Sequence, residues 1–330
     1  MNRRETIFAL LALGAASASP TAKAQPSKVK AAHVGILVTG SRELRVHLEQ
    51  ALLEGLRDQG YVEGKNLVIE RRYSDGHRAR TPEFARELAA MSLDAVITTC
   101  TPSTRAVRSA TGSTPIIMAA VADPVGQGLI ASLARPGGNI TGLSSQAEDI
   151  LPKMMELFSN ALPKPATVAV FRQSGSEVHP RMWQLLGPVA DALALKLIRI
   201  DVATLADLPA AFDRALRAKA NGLFFLPDEP MFLNGRASIV ELAATHRLPA
   251  FYGAREFVEH GGLMSYGESL RSAYRKAASY VGYVVRGAKA GNLPVEQPTR
   301  FEFVINLKTA KTLGISIPQA LLVQADHVIQ

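Results

Sequence analysis

From Ala32 almost to the C-terminus, short β-branched or apolar runs alternate with amphipathic stretches, and no other feature of the chain constrains its fold as strongly. A run too short for a helix buries well as a strand covered on both faces, and an amphipathic stretch supplies the helix that covers it. The alternation therefore reads as successive βαβ units built on parallel sheets. His33 to Val38 is the first expected strand. Arg42 to Gln59 follows as a helix, with Leu44, Leu48, Leu52 and Leu56 forming one apolar stripe and Gly60 ending it. Leu67 to Tyr73 and Asp94 to Thr98 read as strands, and Pro82 to Met91 and Pro102 to Ala110 as helices. Pro115 to Val121, Pro124 to Ala134 and Asn139 to Leu143 complete the first set.

The pattern then restarts. Helices are expected at Ile150 to Ala161, Arg181 to Leu193, Leu205 to Arg217 and Arg236 to His246, with strands at Ala166 to Arg172, Lys196 to Val202, Gly222 to Leu226 and Leu248 to Tyr252. Leu263 to Tyr266, the long helix from Leu270 to Gly287, and Glu302 to Ile305 read as returns between the two sets, and several crossings make a hinge. The chain has 330 residues, the length of two ordinary domains. The expected fold class is thus α/β, with two doubly wound parallel-sheet lobes joined by a multi-strand hinge. Residues 33–145 plus about 265–300 form the first lobe, and 146–264 plus about 301–330 the second.

Composition narrows the function classes. Apolar residues are 47% and charged residues 20% of the chain, ordinary values for a packed protein. The net charge of +8 comes without any run of five basic residues, so it reads as solvated surface rather than a nucleic-acid footprint. A DNA-binding regulator on a two-lobed core would also need a helix-turn-helix ahead of the first lobe. Residues 1–24 instead show a basic start at Arg3 and Arg4, an apolar stretch from Ile7 to Ala16, and Ala22-Lys23-Ala24 before Gln25. That order is the pattern of a removable export signal, with residues 25–32 as a tether and the periplasm as destination, by the Sec route or the twin-arginine route. Later segments offer no membrane insertion. Cys100 is the only cysteine, which leaves no intrachain disulfide, and its apolar neighbours favour burial over reactivity.

Ligands of open parallel sheets bind beyond the carboxyl ends of the strands, where helix N-termini present free N–H groups. In the first lobe those loops are Thr39-Gly40-Ser41, Thr99 to Thr104, and Ala122-Asp123-Pro124. In the second they are Gln173 to Ser176, Pro227 to Phe232, and the return from Tyr252 to Glu256. Thr101, Ser103 and the N–H groups at the Pro102 helix start suit a carboxylate without a fixed cation, and the same residues also fit simple helix capping. Asp123, Asp228, Glu229 and Glu256 suit an ammonium group, and Phe232, Tyr252 or Phe257 suit an apolar or aromatic ligand part, although each also fits a cap or core role. The remaining loop candidates are Gly40, Ser41 and Ser174. Trp183 lies in a helical stretch and reads as packing.

Enzyme motifs fail. Gly35 to Ser41 has phosphate-loop glycine spacing but Ser in place of the required lysine, and no GxGxxG, HExxH or GxSxG arrangement occurs in a suitable context. The seven histidines are dispersed, without metal-ligand spacing. No cofactor is expected.

Several runs carry a resemblance. LLEGLRDQGYVEGKN from Leu52, VIERRYSDG from Val68, PIIMAAVADPVGQGLIASLARPGGNITGLS from Pro115, FVEHGGLMSYG from Phe257 and FEFVINLKTAKTLGISIP from Phe301 resemble the ABC-transporter substrate-binding family related to tryptophan- and tyrosine-binding proteins. They occur in order across nearly the whole chain beyond the export segment. The resemblance implies a type I periplasmic-binding-protein fold, hinge closure on a small ligand such as an amino acid or related carboxylate, and an ABC permease with its ATPase as partner of a monomeric binding protein. It also implies site roles for Ser41, Thr101, Pro102, Ser103, Asp123, Glu256, Tyr266 and Gly267. A ligand-sensing subunit for a membrane receptor, or an exported hydrolase or isomerase, are the competing readings.

Overall fold

The computed structural model describes residues 31–77, 79–228 and 230–330. The export segment expected over residues 1–24, most of the tether, and Glu229 lie outside the described residues. The first lobe runs β1 (Ala32–Val38), α1 (Arg42–Asp58), β2 (Leu67–Tyr73), α2 (Arg80–Ala89), β3 (Ala95–Thr98), α3 (Thr101–Ala110), β4 (Ile116–Ala122) and β5 (Ile140–Ser145). Its five strands lie in the order β2-β1-β3-β4-β5 and all pair in parallel. The chain then enters the second lobe through α4 (Leu151–Ala161), β6 (Ala166–Gln173), α5 (His179–Ala192), β7 (Leu195–Val202), α6 (Leu208–Arg217) and β8 (Gly222–Phe225). It continues through α7 (Pro230–Asn234), α8 (Arg236–Thr245), β9 (Ala250–Tyr252), α9 (Arg255–Glu259) and β10 (Met264–Glu268).

From there α10 (Leu270–Val285) returns to the first lobe, and β11 (Phe301–Asn306), α11 (Leu307–Leu313), α12 (Gln319–Gln324) and β12 (His327–Ile329) complete the second. The second sheet has the order β12-β11-β10-β9-β8-β6-β7, and β10 with β11 is its antiparallel pair. Three crossings link the lobes, after β5, before α10 and before β11. The chain is an α/β protein of two parallel-sheet lobes.

Alternate residues of each strand feed opposite cores, as a period of two requires. Val168 and Val170 of β6 join Phe158, Phe224 and Phe251 on one face of the second sheet, whereas Ala169 and Phe171 join Phe212, Phe225 and Tyr252 on the other. Leu48, Leu52 and Leu56 of α1 pack on Val34 and Ile36 of β1 together with Ala277, Ala278 and Val281 of α10, whereas Leu44 is half-buried outside this core. A side chain at Gly55 would put its Cβ 2.3 Å from the Arg275 carbonyl, so glycine there allows the two helix backbones to touch. This contact ties the returning helix to the first lobe.

Two expectations are corrected. Leu263 to Tyr266 and Glu302 to Ile305 are not crossings: they belong to neighbouring antiparallel strands of the second sheet, in register Met264 with Ile305, flanked by β9 and β12. The first lobe therefore regains the chain at α10 rather than at residue 265. The segment 124–134 forms turns instead of a regular element. Asp123 enters it at φ 36, its Oδ1 accepts from the Gly126 N–H at 2.8 Å, and Gly128 follows at φ 64, which bends the backbone out of any helix.

Candidate functional site

The carboxyl ends of β1, β2 and β3 face those of β6, β8, β9 and β10 across a cleft that holds two chambers. The outer one has a volume of about 470 Å³, with Thr39, Thr101, Pro102 and Ala106 on its first-lobe side and Gly175, Asp228 and Met231 on the other. The inner one, about 90 Å³, lies against the hinge, with Arg45, Cys100 and Ser145 facing Phe225, Phe257, Gly267 and Glu268. Asp228 and Pro230 belong to both walls, so the chambers meet there.

The first-lobe wall is set by the turn between β3 and α3. Ser103 is fully buried, its hydroxyl accepts from the N–H groups of Thr99 and Cys100 at 3.1 and 3.2 Å, and it donates to the Cys100 carbonyl at 3.0 Å. These bonds close the turn as a helix cap does and leave Thr101 at the first helical position on the cavity wall. The Thr101 hydroxyl is buried without a hydrogen-bond partner among the described residues. Burial pushes the Cys100 thiol up, so it serves as packing rather than as a nucleophile.

The second-lobe wall is held by His179. The Gln173 N–H donates to its Nδ1 at 2.9 Å, so the proton sits on Nε2 and donates to the Pro227 carbonyl at 3.0 Å. Burial lowers its pKa to about 4, and the ring stays neutral. It thereby fixes the end of β8 where Asp228 sits at φ 63. Behind the inner chamber, the Tyr252 ring stacks on Phe257 with centroids 4.5 Å apart and on Phe225 at 5.5 Å. Tyr252 is fully buried, so Phe225, Phe232 and Phe257 form the aromatic surface and Tyr252 backs it.

Side chains meet across the cleft. His47 of α1 lies 3.3 Å from Glu256 of α9, and Arg45 donates to Asn234 of α7 at 3.4 Å. Arg105 of α3 pairs with Glu177 at 2.5 Å, and Arg181 of α5 reaches Asp123 at 3.3 Å. Burial works to raise the Glu256 carboxyl, but the His47 ring, its own helix N–H and the Arg45 guanidinium together hold it below the usual carboxylate range. A Cβ on Gly40 would fall 2.5 Å from the Asn234 side-chain oxygen, so the loop after β1 lies directly against α7 of the second lobe. The two lobes are thus in direct contact at several points across the cleft.

Of the sequence candidates, Thr101, Pro102, Asp228 and Gly267 line a chamber. Gly40, Asp123 and Glu256 lie instead at contacts between lobes. Ser41 caps α1, with the Leu44 N–H at 3.4 Å, and Ser103 caps α3. Ser174 is exposed and donates to the Val202 carbonyl at 3.4 Å, and Tyr266 stacks behind Phe301 at 5.7 Å. Trp183 packs at the edge of a core. Sequence reasoning missed Arg45, Ser145, Asn234 and Glu268. Arg45 had a signal: it stands three residues before Leu48 on the buried face of α1, where a guanidinium needs a reason. Among the described residues no helix is long and apolar enough to cross a membrane, and no group of three His, Cys, Asp or Glu is placed to hold a metal ion.

Comparison with known proteins gives this architecture a lineage. The model of the ABC transporter substrate binding protein family matches residues 33–329. A tyrosine-binding protein of Clostridioides difficile is 26% identical over 268 residues, covering 81% of this chain and 76% of that protein. Among solved structures, a conserved domain protein from Vibrio cholerae has a TM-score of 0.84 at 29% identity, covering 91% of this chain and all of that one. An ABC domain from Streptococcus pneumoniae in complex with L-Trp has a TM-score of 0.81 at 26% identity, covering 90% and 100%. With two parallel-sheet lobes closing on a chambered cleft, and a family match spanning both of them, the chain belongs to the ABC transporter substrate-binding protein family.

Proposed function

We propose that this chain is the extracytoplasmic capture component of an ABC importer, and that it holds an amino acid or related carboxylate, with an aromatic side chain, between its lobes. The observation that carries the reading is the cavity itself. Its walls come from both sheets, and the contacts that shut it cross from one lobe to the other. The outer chamber pairs the start of α3 and the unsatisfied Thr101 hydroxyl with apolar Pro82, Ala106 and Met231, which is what a ligand with both a polar and an apolar part requires. The relatives that bind tyrosine and L-Trp support the aromatic assignment.

Capture rather than turnover fits the carboxylates: Asp123 and Glu256 are engaged in cross-lobe contacts, not free to act as bases. Export through residues 1–24, delivery to a permease with its ATPase, and action as a monomer belong to the same reading.

A thermal-shift screen tests it. A ligand at 100 times its Kd is expected to add about 2.7 kcal/mol to the stability of the folded chain. Amino acids, above all the aromatic ones, are expected to raise the melting temperature. If sugars or purines do so and amino acids do not, the ligand assignment falls, and turnover of a bound compound that Asp123→Ala or Glu256→Ala abolishes would replace capture with catalysis.

A further inference from the structure

We propose that Glu268 receives the cationic nitrogen of the ligand, so that the inner chamber takes the charged head of an α-amino acid and the outer chamber takes its side chain. The proposal rests on the capture reading above and adds a residue and an orientation to it. It follows from asking which charges of the cleft are already answered.

Asp123 and Glu148 face Arg181, Glu177 faces Arg105, and Glu256 faces His47. Asp228 has its own contacts within the protein. Glu268 differs. It ends β10, its carboxyl lines the inner chamber, and it forms no side-chain hydrogen bond or ion pair among the described residues. Its position is imposed from below, because a Cβ on the preceding Gly267 would lie 1.9 Å from the Gly253 carbonyl oxygen, so the strand end is pressed against its neighbour and cannot swing away.

The first-lobe wall of the same chamber carries the complementary groups. The Arg45 Nε and the Ser145 hydroxyl are buried, and neither has a hydrogen-bond partner among the described residues. A chamber with an unanswered carboxyl from one lobe and an unanswered guanidinium N–H and hydroxyl from the other is suited to a zwitterion, whose two charges would draw the lobes together. Phe225, Phe257 and Phe301 give the rest of this wall an apolar character.

The protonation state supports this division of roles. Burial pushes the Glu268 carboxyl up to about 8, so at neutral pH the free protein holds it largely protonated. The charged and titratable groups that share its chamber are Arg45 from α1, Cys100 from the turn before α3, and Asp228 from the end of β8, and Arg45 forms no ion pair with it. An ammonium group arriving beside Glu268 favours the carboxylate, so binding releases a proton to solvent.

Glu268→Gln provides the test, since the amide matches the neutral acid in shape and leaves the fold unburdened. Each proteinogenic amino acid is titrated calorimetrically into the wild-type chain and the variant, in two buffers of different ionisation enthalpy. For each one that binds, the deaminated carboxylic acid is titrated as well. The expected result is a loss of at least about tenfold in affinity of the variant for the amino acid, loss of its proton release, and equal affinities of the two proteins for the deaminated acid. Equal affinity and equal proton release for the amino acid in both proteins would overturn the role of Glu268 and leave amino-acid capture standing. If no amino acid binds the wild-type chain, the capture reading itself fails and the assignment of Glu268 fails with it.

Discussion

Glu256→Gln is expected to weaken ligand binding by about tenfold to thirtyfold, equivalent to roughly 1.4 to 2 kcal/mol, with both lobes still folded. The Glu256 side chain is 6% exposed on α9 and meets His47, 39% exposed, from the opposite lobe. Removing one partner of a fully buried ion pair costs about 3 to 5 kcal/mol. The exposure of His47 puts this pair below that range. Two buried guanidiniums, Arg45 and Arg236, also lie in the field of this carboxylate, so neutralising it leaves both less well compensated.

Because the contact exists only when the lobes are together, the loss falls on closure and is read as affinity. The pH dependence has a definite sign. A carboxyl held below its usual value of 4.5 contributes fully above that pH and loses its contribution as the pH falls through the lower value of the folded state. Wild-type affinity should therefore drop on the acid side of pH 4.5, and the Gln variant should lack that component. Calorimetric titrations of the screened ligand across this range, with solution scattering of the ligand-saturated proteins, measure both effects. Unchanged affinity would show that closure does not depend on the pair.

The leucine stripe of α1 and the β-branched runs were readable because each depends on residues close in sequence, where one face of one element is either apolar or not. That is why the two sets of βαβ units, and the loops that hold Thr101, Pro102 and Asp228, emerge from local pattern alone, whereas Gly267 entered only through the family resemblance. The five-residue helices α7 and α9 leave no such trace, since fewer than two turns show no period. The pairing of β10 with β11 joins residues about forty positions apart, and nothing local in either run announces its partner.

The site was harder for the same reason. Glu268 stands just before Ser269, the cap of α10, where an acid ordinarily serves the helix dipole. Only the fold places it in a chamber where no cation among the described residues pairs with it. Conversely, Tyr252 and Ser103 have the chemistry of ligand contacts, but the Tyr252 ring is buried in an aromatic stack and the Ser103 hydroxyl closes its own helix start.

Gly267→Ala is expected to destabilise the protein by about 1 to 3 kcal/mol, the range for overpacking a close contact, and to lower ligand affinity at least tenfold. The added Cβ would sit 1.9 Å from the Gly253 carbonyl oxygen, a backbone atom that cannot rotate aside. Gly253 is itself confined, since its own Cβ would fall 2.5 Å from Pro227, so relief at 267 must move the end of β9 against the end of β8. Those strand ends carry Gly253, Ala254 and Asp228 of the chamber wall and lead directly into α9, which holds Glu256. One methyl group thus displaces the inner chamber and the cross-lobe pair together. The comparison variant is Gly64→Ala, at a loop position away from both chambers with φ of 79 and open space around its Cβ, where backbone strain acts without crowding the second lobe. Melting temperature and titrated affinity should fall together at 267, with affinity much less affected at 64. If Gly267→Ala binds as the wild type does, the strand ends at 253 and 267 are not what shapes the chamber.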